Sequence, residues 1–204
     1  MATKRKSSEQ SRKESPDATE LLVLELQEIH SAESQLSRVL PRLAKALDSE
    51  ELGTLMDERL AEGERIIKEI EAVFEEMEES PGRKKNVAAE GLINDAREHV
   101  QEIEAGPALD VVLIGAMQKT EHYCIAAWGT AKALAQAVGQ TTAARAMERA
   151  LKEGVPFDER LTKLAEEEIT PALLGTQSED GEASTNGGKG SSRKRGSQGQ
   201  ASAS

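Results

Sequence analysis

Residues 114–138, IGAMQKTEHYCIAAWGTAKALAQAV, form the most apolar long stretch of an otherwise charged chain. Spacings of three and four residues place eight of their side chains on one face of a helix. These side chains are Ile114, Met117, Glu121, Cys124, Trp128, Ala131, Ala135 and Val138. Glu121 therefore stands in the middle of a face that must be buried. A buried carboxylate is costly unless another group compensates its charge, so the partner of Glu121 is the first clue to function.

The first predicted helix, residues 19–47, repeats this pattern with one interruption. Leu and Ile recur at spacings of four and three, and Glu33 stands within that apolar seam. His30 precedes Glu33 by three residues, which predicts an imidazole and a carboxylate side by side on one face. Pro41 lies inside the pattern and predicts a kink.

The second predicted helix also carries charge at the centre of its apolar face. Asp48 or Ser49 suits the helix cap, and the apolar stripe continues to about residue 79. The middle turn of that stripe holds Arg59, Glu62 and Gly63.

The last predicted helix, residues 142–169, holds Glu153 and Gly154 at the corresponding point of its stripe. A shorter amphipathic segment, residues 87–104, separates the second helix from the third, which spans residues 108–138. Only four aromatic residues and no long alternating apolar run are present, so strands are not expected. Four long helices with a helical crossover between the second and third predict an all-α, ferritin-like four-helix bundle.

Composition divides the chain into three parts. Residues 1–17 and 175–204 are polar and carry nine basic against six acidic side chains. We expect them to be a disordered basic tail and a disordered Gly/Ser-rich tail. The net charge of −11 then leaves about −14 for the predicted bundle, residues 18–174. A body this acidic repels nucleic acid, so any such binding should be weak and confined to the basic tails.

The remaining composition favours a cytoplasmic protein. Cys124 is the only cysteine, so no disulfide can form within one chain. The basic N-terminus is not followed by an apolar segment, and no apolar run approaches the roughly 20 residues of a membrane span. We therefore expect a soluble protein without a secretion signal or a membrane partner.

Each core helix places one acid near the middle of its buried stripe: Glu33, Glu62, Glu121 and Glu153. At about 5 Å and an effective dielectric near 20, each pair of like charges costs roughly 3 kcal/mol. The cluster therefore needs protons, cationic side chains or a metal. Carboxylates with one or two imidazoles suit iron or manganese, and a bundle core lined by Glu is typical of two-metal carboxylate proteins.

Four segments of the chain resemble the YciE/YciF family of ferritin-like bacterial proteins over roughly residues 20–170. They are HSAESQL (30–36), AAEGLI (88–93), QKTEHYCIAAWGTAKALA (118–135) and DERLTKLA (158–165). The resemblance implies a ferroxidase-like or stress-associated protein, a di-iron centre in the bundle and a homodimer. Acidic positions of the family pattern match Glu33, Glu62, Glu121, Glu153 and Asp158.

The chain departs from that pattern at four positions. Arg59 stands where the family has a histidine, Cys124 and Gly154 stand where it has acids, and His30 replaces a tyrosine. These changes leave a metal site with fewer ligands, and Arg59 adds a permanent positive charge.

Two hypotheses follow from the acids and their neighbours. In the first, iron binds to Glu33, Glu62, Glu121, Glu153 and His30, with Arg59, Cys124 and Asp158 close by, and is oxidised there. In the second, Arg59 neutralises the buried carboxylates, and the protein is a metal-free stress or interaction scaffold.

Overall fold

The computed structural model describes residues 15–176, and the predicted tails lie almost entirely outside these residues. The described part contains five α-helices and no strand. They are α1 (Ala18–Ala44), α2 (Glu50–Glu76), α3 (Val87–Glu102), α4 (Pro107–Val138) and α5 (Thr141–Leu164), and a π-helical segment, Ala165–Ile169, continues α5. The predicted all-α fold is confirmed.

The four long helices enclose one core. Helix α1 packs against α2 and α4, and α5 packs against α4 and α2, which closes a bundle of four. The short helix α3 lies across α1 and α4 on the outside of that bundle. The predicted ferritin-like topology, with a helical crossover between the second and third core helices, is thereby confirmed.

The carboxylate of Asp110 fixes how the helices run. It accepts hydrogen bonds from the backbone N–H groups of Asp48 and Ser49 at 3.0 and 2.8 Å, so α2 and α4 begin at the same end of the bundle. The two helices are therefore parallel. This direction requires a long connection, and α3, with 16 residues and a length of about 24 Å, supplies it.

Local sequence explains where the helices begin and end. Asp17 caps α1 in a capping box with Glu20, and the Ser49 side chain accepts the N–H of Leu52 at the start of α2. Helix α4 ends at Gly139, whose φ of 76° lies in the left-handed region that glycine adopts without strain. Helix α1 ends at Ala44, three residues before the predicted end, and Pro41 lies within it.

The predicted face of α4 is the buried one. Seven of its eight side chains, from Ile114 to Ala135, are buried, and Glu121 is only 1% exposed. Among the described residues no helix has both the length and the hydropathy that a membrane crossing requires.

Candidate functional site

A buried arginine occupies the middle of the bundle. Arg59 of α2 is 1% exposed, and around it lie Glu33 of α1 and Glu121 and Cys124 of α4. Each of these residues belongs to the apolar stripe of its own helix, so packing of the stripes brings the charged groups together. We call Arg59, Glu33, Glu121 and Cys124 the central cluster.

Arg59 uses its whole guanidinium group in this cluster. Its two terminal nitrogens donate to the two oxygens of Glu33, at 3.0 Å each, and its Nε donates to Glu121 Oε2 at 2.7 Å. Its Nη2 also lies 3.5 Å from Cys124 Sγ. The paired bonds to Glu33 have the parallel fork geometry that makes arginine and carboxylate a strong, oriented pair.

Trp128 covers this guanidinium from one turn further along α4. The centre of its ring lies 5.5 Å from Arg59 Cζ, a cation–π distance, and the side chain is fully buried. Arg59 is thus held by two carboxylates and by the face of an aromatic ring.

Burial and the neighbouring charges have opposing effects on the pKa values of the central cluster. Burial opposes the positive charge of Arg59, but Glu33 and Glu121 outweigh that effect, and the pKa of Arg59 rises well above its ordinary value. Burial raises the pKa of Glu121, and Arg59 counteracts that rise. Burial, followed by the charge of Glu33, also raises the pKa of the Cys124 thiol, which makes a reactive thiolate unfavourable.

Two glycines make room for the central cluster. A Cβ atom at Gly63 would lie 2.9 Å from Glu33 Oε2 and 3.2 Å from Arg59 Nη1. A Cβ atom at Gly154 would lie 2.7 Å from Glu121 Oε1 and would overlap the ring of Trp128. The absence of a side chain at 154 therefore lets Trp128 and Glu121 take their positions beside Arg59.

Glu62 lies next to the central cluster but is not paired with Arg59. Among residues 15–176, its buried Oε1 has no hydrogen-bond partner, and it forms one ion pair, with Arg65 at 4.0 Å. Burial raises the pKa of Glu62 to about 7, the charge of Arg59 works against that rise, and the charges of Glu121, Glu33 and Glu153 add to it. Glu62 is therefore the group in this region whose charge changes near neutral pH.

Glu153 points away from the central cluster. Its carboxylate forms an ion pair with Arg65, and about half of its side chain is exposed. Arg65 also binds Glu69 at 3.0 Å, and Arg149 of α5 binds the other oxygen of Glu69 at 2.7 Å. These residues tie α2 to α5 near the surface.

The remaining predicted site residues bind elsewhere. His30 Nε2 lies 3.1 Å from Glu71 of α2, so its partner is Glu71. Asp158 binds His122 at 3.2 Å through Oδ2, while its Oδ1 and Glu121 Oε1 are buried without hydrogen-bond partners.

The structure thus unites part of the predicted site. Glu33, Glu121, Arg59 and Cys124 come together, Glu62 lies beside them, and the others bind different partners. Sequence reasoning overlooked Arg65, although its position three residues after Glu62 was a usable signal. The sequence places Trp128 on the buried face of its helix, but nothing in the spacing reveals that an arginine lies under the ring.

As they stand, these residues do not fit a two-iron centre. Arg59 engages both oxygens of Glu33 and one of Glu121, so three of those four oxygens already bind a cation. Within residues 15–176, no three His, Cys, Asp or Glu side chains are arranged to hold a metal ion. The predicted iron ligands remain a prediction.

The fold and the central cluster define a ferritin-like four-helix bundle with an arginine among its buried carboxylates. The chain belongs to the YciE/YciF family, described as a domain of unknown function (DUF892), whose family model matches residues 17–174. It is 40% identical to protein YciF of Escherichia coli K12 over 141 residues, which are 69% of this chain and 85% of YciF.

Solved structures agree with this assignment. The crystal structure of the E. coli stress protein YciF matches with a TM-score of 0.71 and 37% identity, over 74% of this chain and 96% of that one. YcfI from Rhodopseudomonas palustris, described as a candidate structural protein, matches with a TM-score of 0.68 and 28% identity, over 72% of this chain and 94% of that one.

Proposed function

We propose that this chain is a metal-independent, non-catalytic stress protein of the YciE/YciF type. The observation that carries the proposal is the position of Arg59, whose guanidinium binds Glu33 and Glu121 in the middle of the bundle. In this arrangement the buried carboxylates link α1 and α4 to α2 through Arg59 and do not serve a reaction.

The size of the electrostatic repulsion favours the arginine over a metal ion in the central cluster. A divalent ion about 5 Å from the guanidinium would be repelled by roughly 7 kcal/mol at an effective dielectric near 20. Two of the carboxylates that would offset this repulsion are already paired with Arg59. Removing Arg59 from the cluster would in turn leave those two charges buried without partners.

The relatives supply the physiological setting of the proposal. YciF is described as a stress protein, and YcfI as a candidate structural protein. We propose a corresponding role for this chain, as a cytoplasmic homodimer that acts through binding, without membrane or strong nucleic-acid partners.

Iron binding with ferroxidase activity is the second candidate. Three carboxylate oxygens that are buried without a hydrogen-bond partner in the described part of the chain favour it: Glu62 Oε1, Glu121 Oε1 and Asp158 Oδ1. Carboxylate oxygens of this kind are ligands that iron accepts. This candidate requires Arg59 to leave its present position.

Anaerobic loading with Fe(II), followed by removal of free metal and metal analysis, separates the two candidates. Under our proposal the full-length chain retains iron far below one ion per chain, and Glu121→Ala does not change that amount. Stoichiometric iron that is lost in Glu121→Ala would overturn the proposal.

The matched variant is Arg59→His, which removes the permanent charge and adds a neutral donor. Iron binding that appears only in this variant would show that Arg59 is the group that excludes the metal. Circular dichroism of each variant verifies that the bundle is folded.

A further inference from the structure

A second charged region lies on the exposed side of the C-terminal half of α1. The segment SQLSRVLPRLAK, residues 34–45, contains three basic residues and no acid. Arg38, Arg42 and Lys45 are all exposed, at spacings that place them along one side of α1. This stretch has a positive net charge, although the net charge of residues 18–174 is about −14.

Arg38 borders a surface cleft between α1 and α3. The cleft has a volume of about 140 Å³, and it combines basic, amide and apolar side chains from both helices and from the segment before α3. Its lining residues are Gln35, Arg38, Lys85, Glu90, Ile93, Asn94 and Arg97. Ile93 is 5% exposed and supplies a buried apolar floor. We call this feature the α1–α3 cleft.

Two guanidinium groups of this cleft have no acidic partner among residues 15–176. Within the described residues, Arg38 forms no hydrogen bond or ion pair, and Arg97 contacts only Asn94 Oδ1, at 3.5 Å. The one acid of the cleft, Glu90, is paired with Lys85. By contrast, Arg59, Arg65, Arg149 and Arg160 all bind carboxylates from other helices.

We propose that the α1–α3 cleft binds a small phosphate-bearing anion, such as a phosphate monoester. Arg38 and Arg97 belong to different helices. An anion between them accepts paired N–H hydrogen bonds from each planar guanidinium group, and this geometry suits phosphate. Lys85 is neutralised by Glu90, so the two arginines carry the free positive charge of the cleft. The side-chain amides of Gln35 and Asn94 border the same space.

Size and charge favour a small ligand over a nucleic acid. The cleft accommodates a group of the size of a phosphate monoester, and the strongly acidic body around it repels a long polyanion. This inference does not rest on Arg59 or on the absence of metal from the bundle, so it can fail or succeed independently of the proposed function.

Titration of the full-length chain with inorganic phosphate at constant ionic strength tests the site. Its readout is the NMR signals of the Gln35 and Asn94 side-chain amides, which distinguish the cleft from the basic tails. We expect saturable shifts with a Kd of about 1 mM or lower, weakened at least tenfold in the Arg38→Gln/Arg97→Gln variant.

The matched control is Arg145→Gln/Lys152→Gln, which removes two exposed cations from α5 and changes the net charge equally. It should leave the Kd within about twofold. An equal loss in both variants, or shifts that do not saturate, would overturn the proposal. Tighter binding of duplex DNA than of phosphate, at equal phosphate concentration and through the same two arginines, would overturn the assignment to a small ligand.

Discussion

Arg59 and Arg65 lie on the same helix, and each binds Glu residues of other helices, yet their surroundings differ. The side chain of Arg59 is 2% exposed and that of Arg65 is 27% exposed. Arg59 binds Glu33 and Glu121 inside the core, whereas Arg65 binds Glu153 near the surface. Water screens the outer pairs, whereas Arg59 is the one cation paired with the inner carboxylates among the described residues. Burial therefore determines which of the two arginines contributes more to the stability of the fold.

The largest expected effect comes from removing the inner cation. Arg59→Met should lower the free energy of unfolding by about 3–5 kcal/mol, because it leaves Glu33 and Glu121 buried without a partner. Urea denaturation followed by circular dichroism measures this change. The matched variant Arg65→Met should cost less than about 1 kcal/mol. Equal losses in the two variants would show that burial does not separate the two arginines.

The next effect concerns the space beside Arg59. Gly154→Ala should destabilise the protein by about 1–3 kcal/mol, because the new methyl group overlaps Trp128 and approaches Glu121. Fluorescence of Trp128, the only tryptophan of the chain, should change with it.

The control for Gly154→Ala is Gly115→Ala in α4, where an added Cβ meets no atom within 4 Å. This change should stabilise the helix by roughly 0.5–1 kcal/mol, since alanine favours a helix over glycine. In the Gly154→Ala background, Trp128→Leu should lower the free energy of unfolding by less than it does as a single substitution. Simple additivity of the two changes would contradict the proposed overlap.

The smallest expected effect is a dependence of stability on pH. The pKa of Glu62 is about 7 in the fold against an ordinary value of 4.5, so the folded protein holds this proton more tightly than the unfolded chain does. The free energy of unfolding should therefore fall as pH rises from about 4.5 to about 7, by roughly 1–2 kcal/mol after solvent screening.

Denaturation of Glu62→Gln at a series of pH values tests this dependence. The variant should lose this part of the pH slope, whereas Glu69→Gln, which removes a partner of Arg65, should keep it. A slope that persists unchanged in Glu62→Gln would assign the titration to another group.

The fold was largely predictable because apolar periodicity and connection lengths determine it. The stripe of α4 was predicted residue by residue, and the long segment before it predicted the crossover helix. The pairing of acids was less predictable. Glu33 and Glu121 meet Arg59, but Glu153 turns outward to Arg65, and both outcomes are compatible with a central position on a helical stripe.

His30 shows why spacing was insufficient. Its position three residues before Glu33 places the two residues on neighbouring parts of α1, yet they meet α2 at different points along its length. His30 lies against Glu71, whereas Glu33 turns to Arg59. The alignment of α1 along α2 decides between these partners, and periodicity does not fix that alignment to within one side chain.

The sequence by itself determined the four-helix bundle, its crossover, the acid on each stripe and the presence of an arginine among them, because these features depend on local periodicity and charge. Only the tertiary structure decided that Arg59 binds both oxygens of Glu33 and one oxygen of Glu121. It also decided that Trp128 covers the guanidinium group, and that Gly154 leaves room for Trp128 and Glu121. Such contacts depend on side-chain distances of a few ångströms between helices that are far apart in the chain.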